Sequence, residues 1–182
     1  MNRFEYFIHF LKDKNVASVT PTSSFGIRRV CRKIDFSKRN VIVEYGPGTG
    51  AFTRYLLKNM NPDSKLILIE TNRHFVSILK SIDDPRVYVF NDSAENIKNI
   101  LKECGEQTAD YILSGIPFSL LNEEIKSQIL KNTRDVLSEE GTFLVYQCLN
   151  HMSKYLKQYF NYVNFEIELR NLPPLFIFVA AV

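Results

Sequence analysis

Three of the chain's seven glycines fall within five residues, in Glu44-Tyr45-Gly46-Pro47-Gly48-Thr49-Gly50. The run follows an apolar stretch, Val41-Ile42-Val43, and opens a helical pattern beginning near Ala51. Glycines in that place let the backbone turn tightly and come close to a bound cofactor, and the amides of the helix start can donate to an anion such as a carboxylate. Two cofactor classes use such a loop. Gly46-x-Gly48-x-x-Ala51 satisfies the dinucleotide fingerprint, and Glu70 stands about 20 residues further on, where an acid meets ribose hydroxyls. Glu44 argues for the second class. An acid two residues before the first glycine suits the ammonium of an amino-acid cofactor, whereas a pyrophosphate has no use for a carboxylate there. The three cysteines, Cys31, Cys104 and Cys148, are odd in number and widely spaced. Neither a disulfide framework nor a zinc site is expected, no metal is called for, and a reducing cytoplasm is the default.

These side chains need a scaffold, and the chain's periodicity describes one. Short β-rich runs at Val41–Tyr45, Lys65–Glu70, Arg86–Phe90, Ala109–Ser114 and Thr142–Gln147 alternate with helical patterns at Ala51–Met60, Arg73–Ile82, Ala94–Cys104 and Glu123–Leu137. A further helical stretch, His151–Phe160, precedes runs at Tyr162–Leu169 and Leu175–Ala180. Such alternation predicts an α/β fold, a doubly wound and mostly parallel sheet of seven strands with helices on both faces. Arg170–Pro174 is too short for a crossover helix, so the last two strands are expected to pair antiparallel. Residues 41–182 are read as the cofactor-binding domain. Residues 1–40 are read as a helical segment packed on or preceding it, with Phe4, Phe7, Ile8 and Leu11 as an apolar stripe.

At 182 residues and 45% hydrophobic, the chain can bury a core and is not disordered. The apolar run Phe176–Val182 is too short to span a bilayer. The start, MNRFEYFIHFLKDK, carries charges within its apolar stretch and does not read as a signal peptide. The net charge of +3 conceals an asymmetry: residues 1–40 hold nine Lys/Arg against three acids. A basic segment on a mildly acidic body points to an anionic partner, phospholipid headgroups or nucleic acid, or else to a solvated helix face.

From about residue 20 onward the sequence resembles the class I S-adenosylmethionine-dependent methyltransferases, with their Rossmann-like fold and terminal hairpin. Glu44 to Gly50 looks like their first motif, Leu68-Ile69-Glu70 like their second strand with its ribose-binding acid, and Asn91-Asp92-Ser93-Ala94 like the segment beside adenine. The resemblance implies S-adenosyl-L-methionine as cofactor. It places Glu44 at the methionine end, packs Gly46, Gly48 and Gly50 against the cofactor together with Tyr45 and Thr49, sets Glu70 on the ribose, and brings Asp92 to adenine with Ser93 and Ala94. Thr71 and Asn72 either border the ribose or cap the next helix. Tyr45 either lines the substrate entrance or packs.

Leu113-Ser114-Gly115-Ile116-Pro117-Phe118 resembles the Asn-Leu/Ile-Pro-Tyr/Phe motif of the adenine-N6 methyltransferases, including the ribosomal RNA adenine dimethylases, with Gly115 in place of the asparagine. Those dimethylases also carry a helical domain for which this length leaves no room. Ser114-Gly115-Ile116-Pro117 is closer to the Ser-Gly-Leu-Pro loop of the bacterial phospholipid N-methyltransferases. Thr20-Pro21-Thr22-Ser23-Ser24 and Asn171-Leu172-Pro173-Pro174 resemble two further segments of that family. This resemblance implies N-methylation of a phospholipid amine such as phosphatidylethanolamine, with Ser114 and Gly115 contacting the transferred methyl or its acceptor. Residues 1–40 would rest on a membrane surface, making a cytoplasmic protein peripheral at the inner face. RNA adenine is the alternative acceptor, and a non-catalytic binding module the third class. Methyl transfer needs positioning of a lone pair more than strong acid–base catalysis. An ethanolamine ammonium must still lose a proton, for which Tyr146 and His151 are the candidate bases.

Overall fold

The computed structural model describes residues 22–182. A first helix, α1 (Ser24–Cys31), leads into β1 (Val41–Tyr45), α2 (Ala51–Asn59), β2 (Lys65–Ile69), α3 (Arg73–Lys80), β3 (Val87–Phe90), α4 (Ile97–Glu103) and β4 (Ala109–Ser114). The chain continues through α5 (Glu123–Val136), β5 (Leu137–Gln147), α6 (Met152–Tyr159), β6 (Tyr162–Glu168) and β7 (Leu175–Ala181). The strands form one sheet in the order β3-β2-β1-β4-β5-β7-β6. The first five run parallel, and β7 inserts antiparallel between β5 and β6. The fold class is therefore the expected one. The stripe of Phe4, Phe7, Ile8 and Leu11 lies outside the described residues.

Every residue of β1 is buried, as befits a central parallel strand covered on both faces. Its side chains alternate between two cores. Val41, Val43 and Tyr45 join Ile97 and Leu101 of α4, Ile129 and Leu130 of α5, and Met152 and Leu156 of α6. Ile42 joins Val30 and Cys31 of α1, Phe52 and Leu56 of α2, and Leu79 of α3. The period of two in a strand thus decides which layer each neighbour of the glycine loop meets.

Two elements depart from expectation. The strand expected at Thr142–Gln147 begins at Leu137, because the polar stretch Ser138-Glu139-Glu140-Gly141 continues as an irregular extension beside β4. A Cβ at Gly141 would stand 2.9 Å from the Ser138 backbone, so only glycine permits that approach. The helix expected from Ala94 opens instead with a 3₁₀ turn, Ala94–Asn96, before α4 starts at Ile97. There the Glu95 carbonyl accepts from Asn132 Nδ2 of α5 at 2.7 Å, a side chain that periodicity does not register.

Much of the basic charge before β1 is consumed internally. Arg29, Arg32 and Lys33 converge on Glu166 of β6, with Arg29 Nε at 2.8 Å. Arg170 forks onto Glu168 at 2.8 and 2.7 Å and holds that carboxyl down at about 2.

Candidate active site

The carboxyl ends of β1 to β5 open onto one cleft of about 470 Å³. It lies where the strand order reverses between β1 and β4, the place where open α/β sheets bind ligands. Its floor is the glycine loop. Gly46 and Gly48 adopt φ of +65° and +56°, which side-chain-bearing residues rarely adopt, and a Cβ at Gly48 would meet nothing within 4 Å. Thr49 completes that floor.

One wall follows β2. The Glu70 carboxylate is fixed by two backbone amides, accepting from Gly48 N at 3.0 Å through Oε2 and from Asn72 N at 2.9 Å through Oε1. Each oxygen keeps a second lone pair for the cleft. Thr71 and Asn72 border the same wall, and Asn72 also caps α3, its Oδ1 accepting from His74 N at 2.9 Å. The capping role left open for Asn72 is thus filled, by a residue that also lines the cleft. Asp92, Ser93 and Ala94 come next, with Asp92 Oδ1 accepting from Ser93 N at 2.7 Å and from Asn96 Nδ2 at 2.7 Å.

Glu44 sits beneath the loop, fully buried on the α2 side of β1. Thr53 Oγ1 donates to its Oε2 at 2.7 Å, while Oε1 has no partner among the described residues. Burial pushes this carboxyl up to about 7, with the neighbouring Glu70 adding to the rise and Thr53 and Arg54 opposing it.

Like Glu44, three further expected residues are absent from the cleft lining. Tyr45 follows Glu44 in the strand, so it points to the opposite face; its ring packs edge-on to Phe143 and its hydroxyl pairs with Thr133 at 3.1 Å. Ser114 is fully buried on that same face, its hydroxyl 3.4 Å from Ile116 N. Gly50 serves geometry: at φ +80° it starts α2, and a Cβ there would press on Leu79 at 3.2 Å. The side chains of Tyr45 and Ser114 thus shape the site without lining it.

Gly115 does line the cleft, beside Tyr146. A Cβ at position 115 would lie 2.8 Å from Tyr146 Oη and 3.1 Å from two ring carbons, so the phenol takes the space a side chain would need. The Tyr146 ring stacks on Phe52 at 4.1 Å. Burial, reinforced by Glu44, raises its hydroxyl well above the ordinary tyrosine value, so the phenol stays protonated and is a hydrogen-bonding group instead of a base. His151 is half-buried and kept neutral by desolvation and the Lys126 charge, with Nε2 unpartnered among the described residues; it lies outside the cleft lining.

Thr22, Phe52, Phe75, Leu120, Ile125 and Ile129 also line the cleft, none singled out for it by sequence. Ile125 and Ile129 share an i, i+4 stripe that reads only as core.

A family model of ribosomal RNA adenine dimethylases matches residues 1–159. The chain belongs to that family. It is an S-adenosylmethionine-dependent methyltransferase of the Rossmann-like class. An ornithine lipid N-methyltransferase of Singulisphaera acidiphila is 29% identical over 168 residues, 87% of this chain and 84% of that one. Ribosomal RNA small subunit methyltransferase A of Francisella tularensis is 38% identical, but over 53 residues, which cover 29% of this chain and 16% of that one. The Burkholderia thailandensis 1,6-didemethyltoxoflavin-N1-methyltransferase, solved with bound 1,6-didemethyltoxoflavin and S-adenosylhomocysteine, superposes with a TM-score of 0.67 at 12% identity. That match covers 99% of this chain and 87% of the other, and it shows the shared fold.

Proposed function

We propose that this dimethylase-family member transfers a methyl group from S-adenosylmethionine to the amine of a lipid, with phosphatidylethanolamine as the reference acceptor. The observation that carries the reading is the Gly115–Tyr146 pair. An adenine amine needs a side-chain acceptor at the start of this loop; glycine supplies none, and the phenol stands where a larger residue would have to begin. The long match to an ornithine lipid N-methyltransferase supports the same class of acceptor.

The residues present fit the cofactor. Glu44 Oε1 is a buried acceptor without a partner among the described residues, the space over Gly48 is open, and Glu70 is held with lone pairs to spare. Glu70 would take the ribose hydroxyls, Asp92 the adenine edge, and Glu44 would balance positive charge at the methionine end. When bound, S-adenosylmethionine supplies an electrophilic methyl on a sulfonium, so transfer requires in-line alignment of an acceptor lone pair. Gly115 offers its bare backbone to that acceptor, and the neutral Tyr146 hydroxyl offers a lone pair to hold an amine hydrogen. Phe75, Leu120 and Ile125 give an apolar wall that excludes water and suits the first carbons of a lipid headgroup.

Incubation with labelled S-adenosylmethionine, phosphatidylethanolamine vesicles and bulk RNA tests the assignment. Label is expected in the lipid. Label in RNA alone would install adenine as acceptor, and cofactor binding without label in either would make the chain a binding module.

A further inference from the structure

Beside the cleft lies a surface that the site does not use. The β6–β7 turn, residues 169–174, holds Leu169 at 75% and Leu172 at 87% exposure, and Phe25 of α1 adds a ring at 42%. Two guanidiniums flank that ring, Arg28 at 4.9 Å and Arg170 at 4.5 Å from its centroid. Around the patch, four cations (Arg29, Arg32, Lys33 and Arg170) pair with two carboxylates, Glu166 and Glu168, and outnumber them, while Arg28 stands against the Phe25 ring. The surface is therefore apolar at its tip and cationic at its rim.

The turn is anchored to the cleft. Asn171 is buried; its Oδ1 accepts from Ser23 N at 2.7 Å and its Nδ2 donates to Pro173 O at 2.6 Å. Ser23 follows Thr22, which lines the cleft, and Gly26 of α1 approaches so closely that a Cβ would meet Thr22, Leu175 and Asn171 within 3.2 Å. The two exposed leucines thus flank Asn171, whose hydrogen bond to Ser23 ties the turn to the residue beside the cleft-lining Thr22.

We infer that this face, the β6–β7 turn with Phe25 and Arg28, docks on an anionic phospholipid surface and sets the cleft mouth against the headgroup layer. Leucine and phenylalanine enter the headgroup–acyl boundary while the arginines pair with lipid phosphates. Charge complementarity selects the occupant: a second copy would bring the same cationic rim against itself. The inference deepens the lipid reading of the cleft, and it joins Phe25 and Arg28 of the basic segment to a turn more than 120 residues after it as one membrane contact.

The chain contains no tryptophan, so Leu172→Trp in the full chain introduces a single indole at the tip. With phosphatidylcholine vesicles containing phosphatidylglycerol, its emission is expected to shift to the blue and to be quenched by brominated acyl chains; with phosphatidylcholine alone the shift should be much smaller. Leu169→Ser and Leu172→Ser, both at exposed positions, should each weaken vesicle sedimentation by about tenfold, the loss of one partly inserted leucine. Emission unchanged on vesicles that do sediment the protein would overturn the docking face, as would absence of any vesicle binding. A blue shift that follows protein concentration without vesicles would overturn it too, assigning the face to self-association. Because emission is read without turnover, a shift with no label in lipid would strike the substrate reading and leave this face standing. Label in lipid with unshifted emission would do the reverse.

Discussion

Glu44 is a carboxyl whose surroundings carry its titration into the neutral range. Buried with one oxygen unpartnered among the described residues, its carboxyl rises to about 7. A raised carboxyl binds its proton more tightly in the folded chain than in the unfolded one. Its favourable contribution is therefore complete below the ordinary glutamate range and is lost as pH climbs through about 7. A cationic cofactor reverses the preference by favouring the carboxylate. Calorimetry should accordingly show tighter S-adenosylmethionine binding at about pH 7.5 than at about pH 6, with proton release measurable across buffers of different ionisation enthalpy. Glu44→Gln should flatten both effects; an unchanged pH profile in that variant would remove Glu44 from the cofactor site. Glu70 stands in contrast. Its two amide partners hold it in place, so Glu70→Ala should abolish measurable cofactor affinity, and unchanged affinity would sink its assignment to the ribose.

At the level of elements, α1 is joined to the far sheet edge mainly through charge. Arg29, Arg32 and Lys33 all reach Glu166, and Lys33 foremost, with Arg29, holds its carboxyl below the usual range. A depressed carboxyl stabilises the fold above the ordinary glutamate value, and that stability is lost as pH falls. Glu166→Gln should lower stability by about 1 kcal/mol near neutrality, a partly screened network's worth. In thermal melts the difference from wild type should close as pH drops below about 4. The same elements show what periodicity could read. Strand and helix positions followed from apolar spacing with boundaries off by a residue or two, because the covered sheet demands it. The errors fall at Ser138–Gly141 and Ala94–Asn96, where glycine geometry and a distant Asn132 side chain, not local pattern, set the backbone.

For the whole molecule, cofactor binding and folding are linked, since the cleft is built from five strand ends and exists only in the closed sheet. Cofactor at about a hundred times its Kd should stabilise the fold by about 2.7 kcal/mol, raising Tm by roughly 5–10 °C for a chain of this size. Differential scanning calorimetry checks this, and an unmoved Tm would separate the cleft from the cofactor. The sequence by itself determined the fold class, the glycine loop and Glu70, because these rest on local spacing: a turn that needs bare backbone and an acid at a set distance along the next strand; the Asp92 segment came from the family resemblance alone. Only the tertiary structure decided which way neighbouring side chains face. Alternation sends Glu44 beneath the loop but Tyr45 and Ser114 into the opposite core, and it brings Tyr146 from a strand about thirty residues on to fill the space beside Gly115. It also spends much of the basic segment's charge on Glu166 while leaving Leu169 and Leu172 exposed beside the cleft. Such pairings join residues far apart in the chain, and their energy depends on distances that no local window contains.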